Sequence, residues 1–445
     1  MLLTALLSCS SPEVPPVLAE RTAQTEVRRA VAANETLSCV RPVLRGAARP
    51  GPAMPDLLAL WRPDDGGPVG SCLEAVAASP RSWGLAGQIP FHDGYARDRL
   101  GDLDAMHEVC AGLPAVLSAA VSHEDSCSPY LLGREAAPSG DRMLALTRMS
   151  TAIVIEARAR ALAGDPGGAM GVLLDGVRAG QDLGRGGPSL LVTLLGTSAA
   201  NDAATAGHRV LALEGWTDEA LAAVDAELAA LQESAVHPSV ALEGEALFVL
   251  ERSVAAAAPG GPTPEAAITG DPRRDAELAL QALLATRERW RTACPPTATL
   301  GACLDGLSAE QTRMVDAKEE ASKRLQSLGS PPWDVPPGSA HEDDVRVLLG
   351  STFAQMASRL ESAATLQSTL GLLRVHVAVK RGRCTEPEVA SLLEPPGLGM
   401  RLRFESTAVP TADGGSRPKA AIAWPPEALA PFQDRGLESW RCGTP

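Results

Sequence analysis

The stretch DRMLALTRMSTAIVIEARARALAGDPGGAMGVLLDGVRAGQDLG, Asp141 to Gly184, decides the fold class. From Leu144 the apolar residues Leu146, Met149, Ile153, Ala157 and Ala161 return mostly at three- and four-residue steps, which places them on one helical face. Gly164 ends that helix. Asp165 caps the next, and Pro166 takes its first helical position, where a missing N–H removes no hydrogen bond. Met170, Leu173, Leu174 and Val177 then form the stripe of a second helix ending near Gly184. Two facing stripes joined by a tight turn predict an antiparallel helical hairpin.

Working outward, Pro188 to Leu213 continues as helix, and Thr217 caps another from Asp218 to Ser234. Pro238 opens a helix carrying Val240, Leu247, Val249 and Leu250, and Pro259 to Arg274 reads as a loop. Arg273 to Thr292 and Ser308 to Leu328 follow as charged helices, the second opened by a Ser308-x-x-Gln311 capping box. Ser330 to Gly338, SPPWDVPPG, is not helix, because each Pro removes a donor and restricts the residue before it. It is a linker or a packed extended segment. A long helix is expected from Asp343 to Val379, then a short one from Glu386 capped by Thr385. Met400 to Glu405 alternates as a strand does and can pair with Lys419 to Trp424 across Gly414-Gly415. The fold class is therefore mainly α, with antiparallel helical hairpins in an irregular solenoid or bundle and a small C-terminal β-hairpin. The expected divisions are a helical region over 17–140, a hairpin body over 141–328, a Pro-rich linker over 329–342, the long helix over 343–383 and a small cap over 384–445.

Composition narrows the function classes. Of 445 residues, 45% are hydrophobic and 21% charged, enough apolar side chain for a folded core. Aromatics are 3% and the formal charge is -14, the wrong balance for a nucleic-acid groove, so no nucleic-acid partner is expected. The sequence has no Gly-x-x-x-x-Gly-Lys-Ser/Thr loop, no His-Glu-x-x-His, no Gly-x-Ser-x-Gly and no Cys-x-x-Cys. Ser416-x-x-Lys419 has the spacing of penicillin-recognising enzymes but sits beside a glycine-rich turn, and the accompanying Lys-Thr-Gly is missing. No cofactor is implied.

The chain begins MLLTALLSCSS, an apolar run and a small residue followed by Cys9. This resembles a bacterial lipoprotein signal, which implies cleavage after residue 8, diacylglycerol on Cys9 and a tether from Ser10 to Pro16. In such proteins a Ser after the Cys is compatible with sorting to the outer membrane. The resemblance thus implies export, with the membrane contacted through lipid alone. The longest mostly apolar stretch, Ser189 to Ala200, is far shorter than the roughly twenty residues a spanning helix needs. Removing Cys9 leaves eight cysteines, an even set: Cys39, Cys72, Cys110, Cys127, Cys294, Cys303, Cys384 and Cys442. Joining sequence neighbours would give 39–72, 110–127, 294–303 and 384–442. Eight reduced core cysteines is the other reading.

One cluster has metal-ligand spacing. His107-x-x-Cys110 and His123-x-x-x-Cys127 together supply the four ligands of a tetrahedral zinc site. His92, His107 and His123 are likewise the residues around which an exported hydrolase would assemble a site. Glu243 and Glu245 lie two apart and point to different sides of a helix, poor geometry for paired carboxylates.

Two resemblances cover parts of the body. Ala161 to Ala169, with its Gly and Ala, is similar to the small-residue crossing of a tetratricopeptide repeat, over one hairpin only and with no repeating period. Ala161 to Gly187 and His237 to Glu245 look like segments of uncharacterised bacterial envelope proteins. That likeness implies a helical fold and export and no particular activity. The leading expectation is a lipid-anchored envelope binding or scaffolding protein with a protein partner. The alternative is an exported hydrolase or a zinc-containing protein.

Overall fold

Helix is the dominant local structure, as the apolar spacing predicts. The computed structural model of the chain describes residues 41, 43–53, 68–78, 103–126, 140–186, 190–246, 268–357, 361–383, 392, 403–410 and 416–423. Its helices are α1 (Pro68–Ala78), α2 (Leu103–Cys110), α3 (Leu113–Val121), α4 (Gly140–Leu162), α5 (Pro166–Gly186), α6 (Leu190–Leu211), α7 (Asp218–Glu233), α8 (238–246), α9 (Pro272–Ala293), α10 (Leu300–Gln326), α11 (Ala340–Ala357) and α12 (Glu361–Lys380). Strand β1 (Arg49–Pro52) runs parallel to β2 (His123–Asp125). Strand β3 (Arg403–Pro410) pairs antiparallel with β4 (Ser416–Ala423), in a register that sets Phe404 opposite Ile422. Ser416-x-x-Lys419 therefore opens a strand.

The hairpin at Gly164 is α4 and α5. Gly164 has φ +81°, the left-handed conformation that ends a helix at no steric cost to glycine. Asp165 Oδ1 accepts the Gly168 N–H at 2.8 Å, capping α5 ahead of Pro166. Met149, Ile153, Ala157, Met170, Leu173, Leu174 and Val177 are all buried, so the two stripes do face the core. α6 then crosses α5 so closely that a Cβ on Gly180 would lie 2.3 Å from the Gly196 carbonyl oxygen, and one on Gly196 2.5 Å from that of Gly180. Only glycine at both positions allows this approach.

Around the α5–α6 crossing, α4 packs against both helices, α3 against α5, and α12 against α6 and α7. Their apolar faces form one core running from Leu73 on α1 to Val377 on α12. A second core joins α8, α9 and α10 through Leu242, Leu283, Trp290 and Leu307, and Leu190 at the start of α6 belongs to it. A third, small core brings Leu278, Leu325, Val335 and Val345 together. Val335 comes from the Pro-rich stretch, and the neighbouring Trp333 N–H donates to the Ile268 carbonyl at 3.0 Å. That stretch is a packed extended segment.

Three readings need correction. First, α10 starts at Leu300, with Thr299 Oγ1 accepting the Ala302 N–H at 3.2 Å. Ser308 and Gln311 lie inside this helix; a Ser-x-x-Gln spacing is too common to mark a start once an earlier Thr cap is in place. Second, the single helix expected from Asp343 to Val379 is described as α11 and α12, on either side of 358–360. α11 packs on α9 and α10, whereas α12 packs on α6 and α7. Third, Cys72 is joined to Cys110, so neither the 39–72 nor the 110–127 pairing forms beside it. The cause is the packing of α1 on α2, which brings the two Cα atoms to 4.6 Å. Cys294 and Cys303 do pair as neighbours, closing the connection between α9 and α10.

Among the described residues, no helix is long and apolar enough to cross a membrane.

Candidate binding cleft

The α5–α6 crossing leaves a wedge that α7, α8, the disulfide-closed connection and α12 surround without filling. The resulting cleft has a volume of about 210 Å³. Gln181 and Gly184 enter it from α5, Thr193 and Thr197 from α6, Gln232 from α7 and Gln367 from α12. Val236, Pro238, Ala241, Leu300 and Leu366 supply apolar walls, and Glu233 adds the one acidic lining side chain. The cavity is thus mostly apolar with a few converging polar groups, the usual make-up of a small-molecule site.

The glutamines are its chemistry. Gln181, Gln232 and Gln367 are only 4%, 3% and 5% exposed, yet each has a polar atom with no hydrogen-bond partner: Gln181 Oε1, Gln232 Nε2 and Gln367 Oε1. Two of these assignments follow from the bonds made at the other end of the amide. Gln181 Nε2 donates to the Leu231 carbonyl at 3.0 Å, and a carbonyl can only accept, so the oxygen is the atom left over. Gln232 Oε1 accepts from Arg374 Nη1 at 3.1 Å, and a guanidinium can only donate, so the Nε2 is left over. Two residues lining the same cleft therefore carry one spare acceptor and one spare donor. Leaving such atoms buried and unbonded costs roughly 1–3 kcal/mol each.

At the mouth, His237 Nε2 lies 3.1 Å from the Ala298 carbonyl, so Nε2 carries the proton. Its Nδ1 accepts from the Ser239 N–H at 3.2 Å. Burial holds the His237 pKa below the ordinary imidazole range, with the Ala298 bond opposing it. His237, Cys294 and Cys303 place ligand atoms within 4.8 Å of one another, the one such trio among the described residues. Both sulfurs are in the disulfide, which leaves no thiolate to hold a metal.

A charged layer lies deeper along α5. Asp182 is fully buried and accepts from two Arg41 nitrogens, one of them Nε at 2.9 Å, while Arg41 Nη1 donates to the His123 carbonyl. Arg185 Nε is 4.0 Å from the same carboxylate. Burial lowers the Arg178 pKa to about 9 and the Arg185 pKa to about 10, and the Asp182 charge opposes both shifts. On the far side of the helix, a more open groove of about 550 Å³ holds Asp175 and Glu227. Burial raises their pKa values to about 6 and about 7, against the lowering effect of Arg45, which bonds both. Raised carboxylates often mark active sites. Here each already has a cation, and Arg45 also donates to the Gly171 carbonyl at 3.0 Å, so the trio clamps the 43–48 segment to α5 and α7.

The residues singled out in the sequence are dispersed. His107 Nδ1 lies 2.7 Å from Glu156 Oε1, a bond between α2 and α4 with no nucleophile attached to the ring among the described residues. His123 is buried on β2, its Nδ1 2.9 Å from the Gly51 carbonyl. The zinc set does not assemble: Cys110 is in a disulfide, and Cys127 lies outside the described residues. Cys9, Cys39, His92, Cys384 and Cys442 also lie outside them. Glu243 binds Arg287 at 2.9 Å and Arg291 at 2.5 Å, while Glu245 accepts the Leu190 N–H at 2.7 Å, so the two carboxylates serve different partners.

The three glutamines went unnoticed in the sequence because glutamine is usual on helix surfaces and none of them sits in a motif. A hint was available: the two segments that look like envelope proteins, 161–187 and 237–245, meet at this cleft through Gln181, Gly184, His237, Pro238 and Ala241. No known protein family, curated protein or solved structure matches the chain.

Proposed function

We propose that this chain is an exported bacterial envelope protein, held to the periplasmic side of a membrane, the outer one by the Ser after Cys9, through lipid on Cys9 alone. Its disulfide-bonded helical body, an irregular bundle of hairpins with the β3–β4 pair as a small ending, serves as a binding or scaffolding module toward a protein partner. The observation that carries this reading is the pair of buried bridges, Cys72–Cys110 and Cys294–Cys303. They sit in different cores, and a reducing cytosol would keep all four sulfurs as thiols. A binding role is supported by the cleft, where the buried Gln181, Gln232 and Gln367 each keep one amide atom without a partner. Catalysis has less behind it, since the His107–Glu156 pair has no nucleophile attached among the described residues.

The anchor is tested by metabolic labelling with palmitate in a bacterial host. Label should enter the full chain and vanish in Cys9→Ser, with the protein moving from the membrane to the soluble fraction. Unchanged membrane recovery of Cys9→Ser would overturn the anchor.

A further inference from the structure

We infer that the cleft between α5, α6, α7 and α12 binds a small uncharged molecule carrying a carboxamide, its N–H donated to Gln181 Oε1 and its C=O accepting from Gln232 Nε2. The inference deepens the binding reading above, and the two can fail separately.

The argument begins with the unsatisfied atoms. Gln181 and Gln232 are more than nine-tenths buried, line one cavity, and are each fixed at their other end by a partner of unambiguous polarity. What remains is an acceptor and a donor. A carboxamide is the simplest group that offers both a donor and an acceptor, so its chemistry matches both. Gln367 Oε1 contributes a second acceptor for the other amide hydrogen or for a neighbouring N–H.

Charge argues against an anion. Glu233 lines the cleft and opposes an anion. Arg374, the nearest cation to Gln232, already bonds Asp225 at 2.8 Å, so it offers no free charge to a carboxylate. His237 is held neutral by burial, with its one proton committed to Ala298. The walls set the rest of the molecule: Val236, Leu300 and Leu366 favour a short aliphatic group. A cavity of about 210 Å³ has room for roughly 14–21 water-sized units at about 10–15 Å³ each, enough for a ligand of about a dozen non-hydrogen atoms. An N-acylated, amidated aliphatic amino acid meets every one of these conditions.

The test uses the full chain and N-acetyl-leucinamide, with N-acetyl-leucine as its charged counterpart, read by saturation-transfer NMR titration. The amide should bind with a Kd of about 1 mM or tighter, and the carboxylate at least about tenfold more weakly. Gln232→Glu keeps an acceptor, now charged, for Arg374 but turns the spare donor into an acceptor. It should retain the wild-type melting temperature while weakening the amide about tenfold or more. Gln181→Leu, which removes the spare oxygen together with the Nε2 donor to the Leu231 carbonyl, should weaken the amide as much but at a lowered melting temperature. The inference is overturned if the amide gives no saturation at about 10 mM, or binds Gln232→Glu as well as wild type. It is also overturned if a crystal structure soaked with the amide shows the cleft occupied by water alone or by another segment of the chain. Amide binding with no palmitate on Cys9 would leave the cleft standing and remove the address, and the converse would remove the cleft alone.

Discussion

Asp182 sits among three arginines in the core. Arg41 reaches it from 141 residues away, and Arg178 and Arg185 rise on the same helix one turn to either side. Removing one member of a buried ion pair strands the others, so Asp182→Ala should lower unfolding free energy by about 3–5 kcal/mol, measured from urea midpoints. A loss under about 1 kcal/mol would show that water reaches the guanidinium groups. None of this was legible in the sequence, where Gln181-Asp182-Leu183 reads only as the polar end of an amphipathic helix. Side chains that owe their role to partners over a hundred positions away leave no local spacing to read. The cleft glutamines are hidden for the same reason, and the metal reading at His107 and Cys110 failed because a disulfide consumed one of its ligands.

Helices show the opposite balance. The three- and four-residue apolar period locates α4 and α5 nearly to their ends, α6 follows within the stretch from Pro188, and Thr217 caps α7 as expected, its Oγ1 accepting the Ala220 N–H at 3.2 Å. Reading failed where a local signal had two valid positions, as at Thr299 and Ser308. It also failed where an unbroken helical pattern spans two packing environments, as between α11 and α12. The contact between α5 and α6 yields a sharp expectation. Gly196→Ala and Gly180→Ala would each push a methyl into facing backbone, which cannot yield as a flexible side chain can. Each should cost about 1–3 kcal/mol by overpacking and weaken whatever the adjoining cleft binds. Gly167→Ala, where the added carbon would lie 3.9 Å from Asp165 Oδ1, should be neutral or stabilising by up to about 1 kcal/mol. Thermal melts of the three variants provide the comparison; equal effects at all three would refute the close crossing.

Taken as one body, the protein carries two opposed pH responses. His208 and His376 stack with ring centroids 5.8 Å apart, and burial depresses their pKa values to about 4 and about 3, assisted by Arg209 for the first and by His208 and Lys380 for the second. Their contribution is complete above the unfolded value of 6.5 and is lost as pH falls toward those depressed values. Asp175 and Glu227, raised to about 6 and about 7, act in the other direction: their contribution is complete below about 4 and is lost as pH rises through the raised values. The two effects overlap between pH 4.5 and 6.5 and should flatten the stability profile there. Urea midpoints of an Asp175→Asn, Glu227→Gln double variant should therefore fall more steeply on acidification than those of wild type, and parallel profiles would contradict the assignment. The bridges act at this scale too, stabilising the fold by roughly 4 kcal/mol for the 38-residue separation and roughly 2.5 kcal/mol for the 9-residue one in the loop-entropy account. On the proposed function they also belong to an oxidising compartment, and that proposal is open to direct measurement by non-reducing peptide mapping of thiol-blocked protein from its native cell fraction. The expected result is Cys72 linked to Cys110, Cys294 linked to Cys303, and a diacylated peptide beginning at Cys9, all in the membrane fraction. Four free thiols at those positions, in cytosolic protein with an unmodified Cys9, would contradict the account.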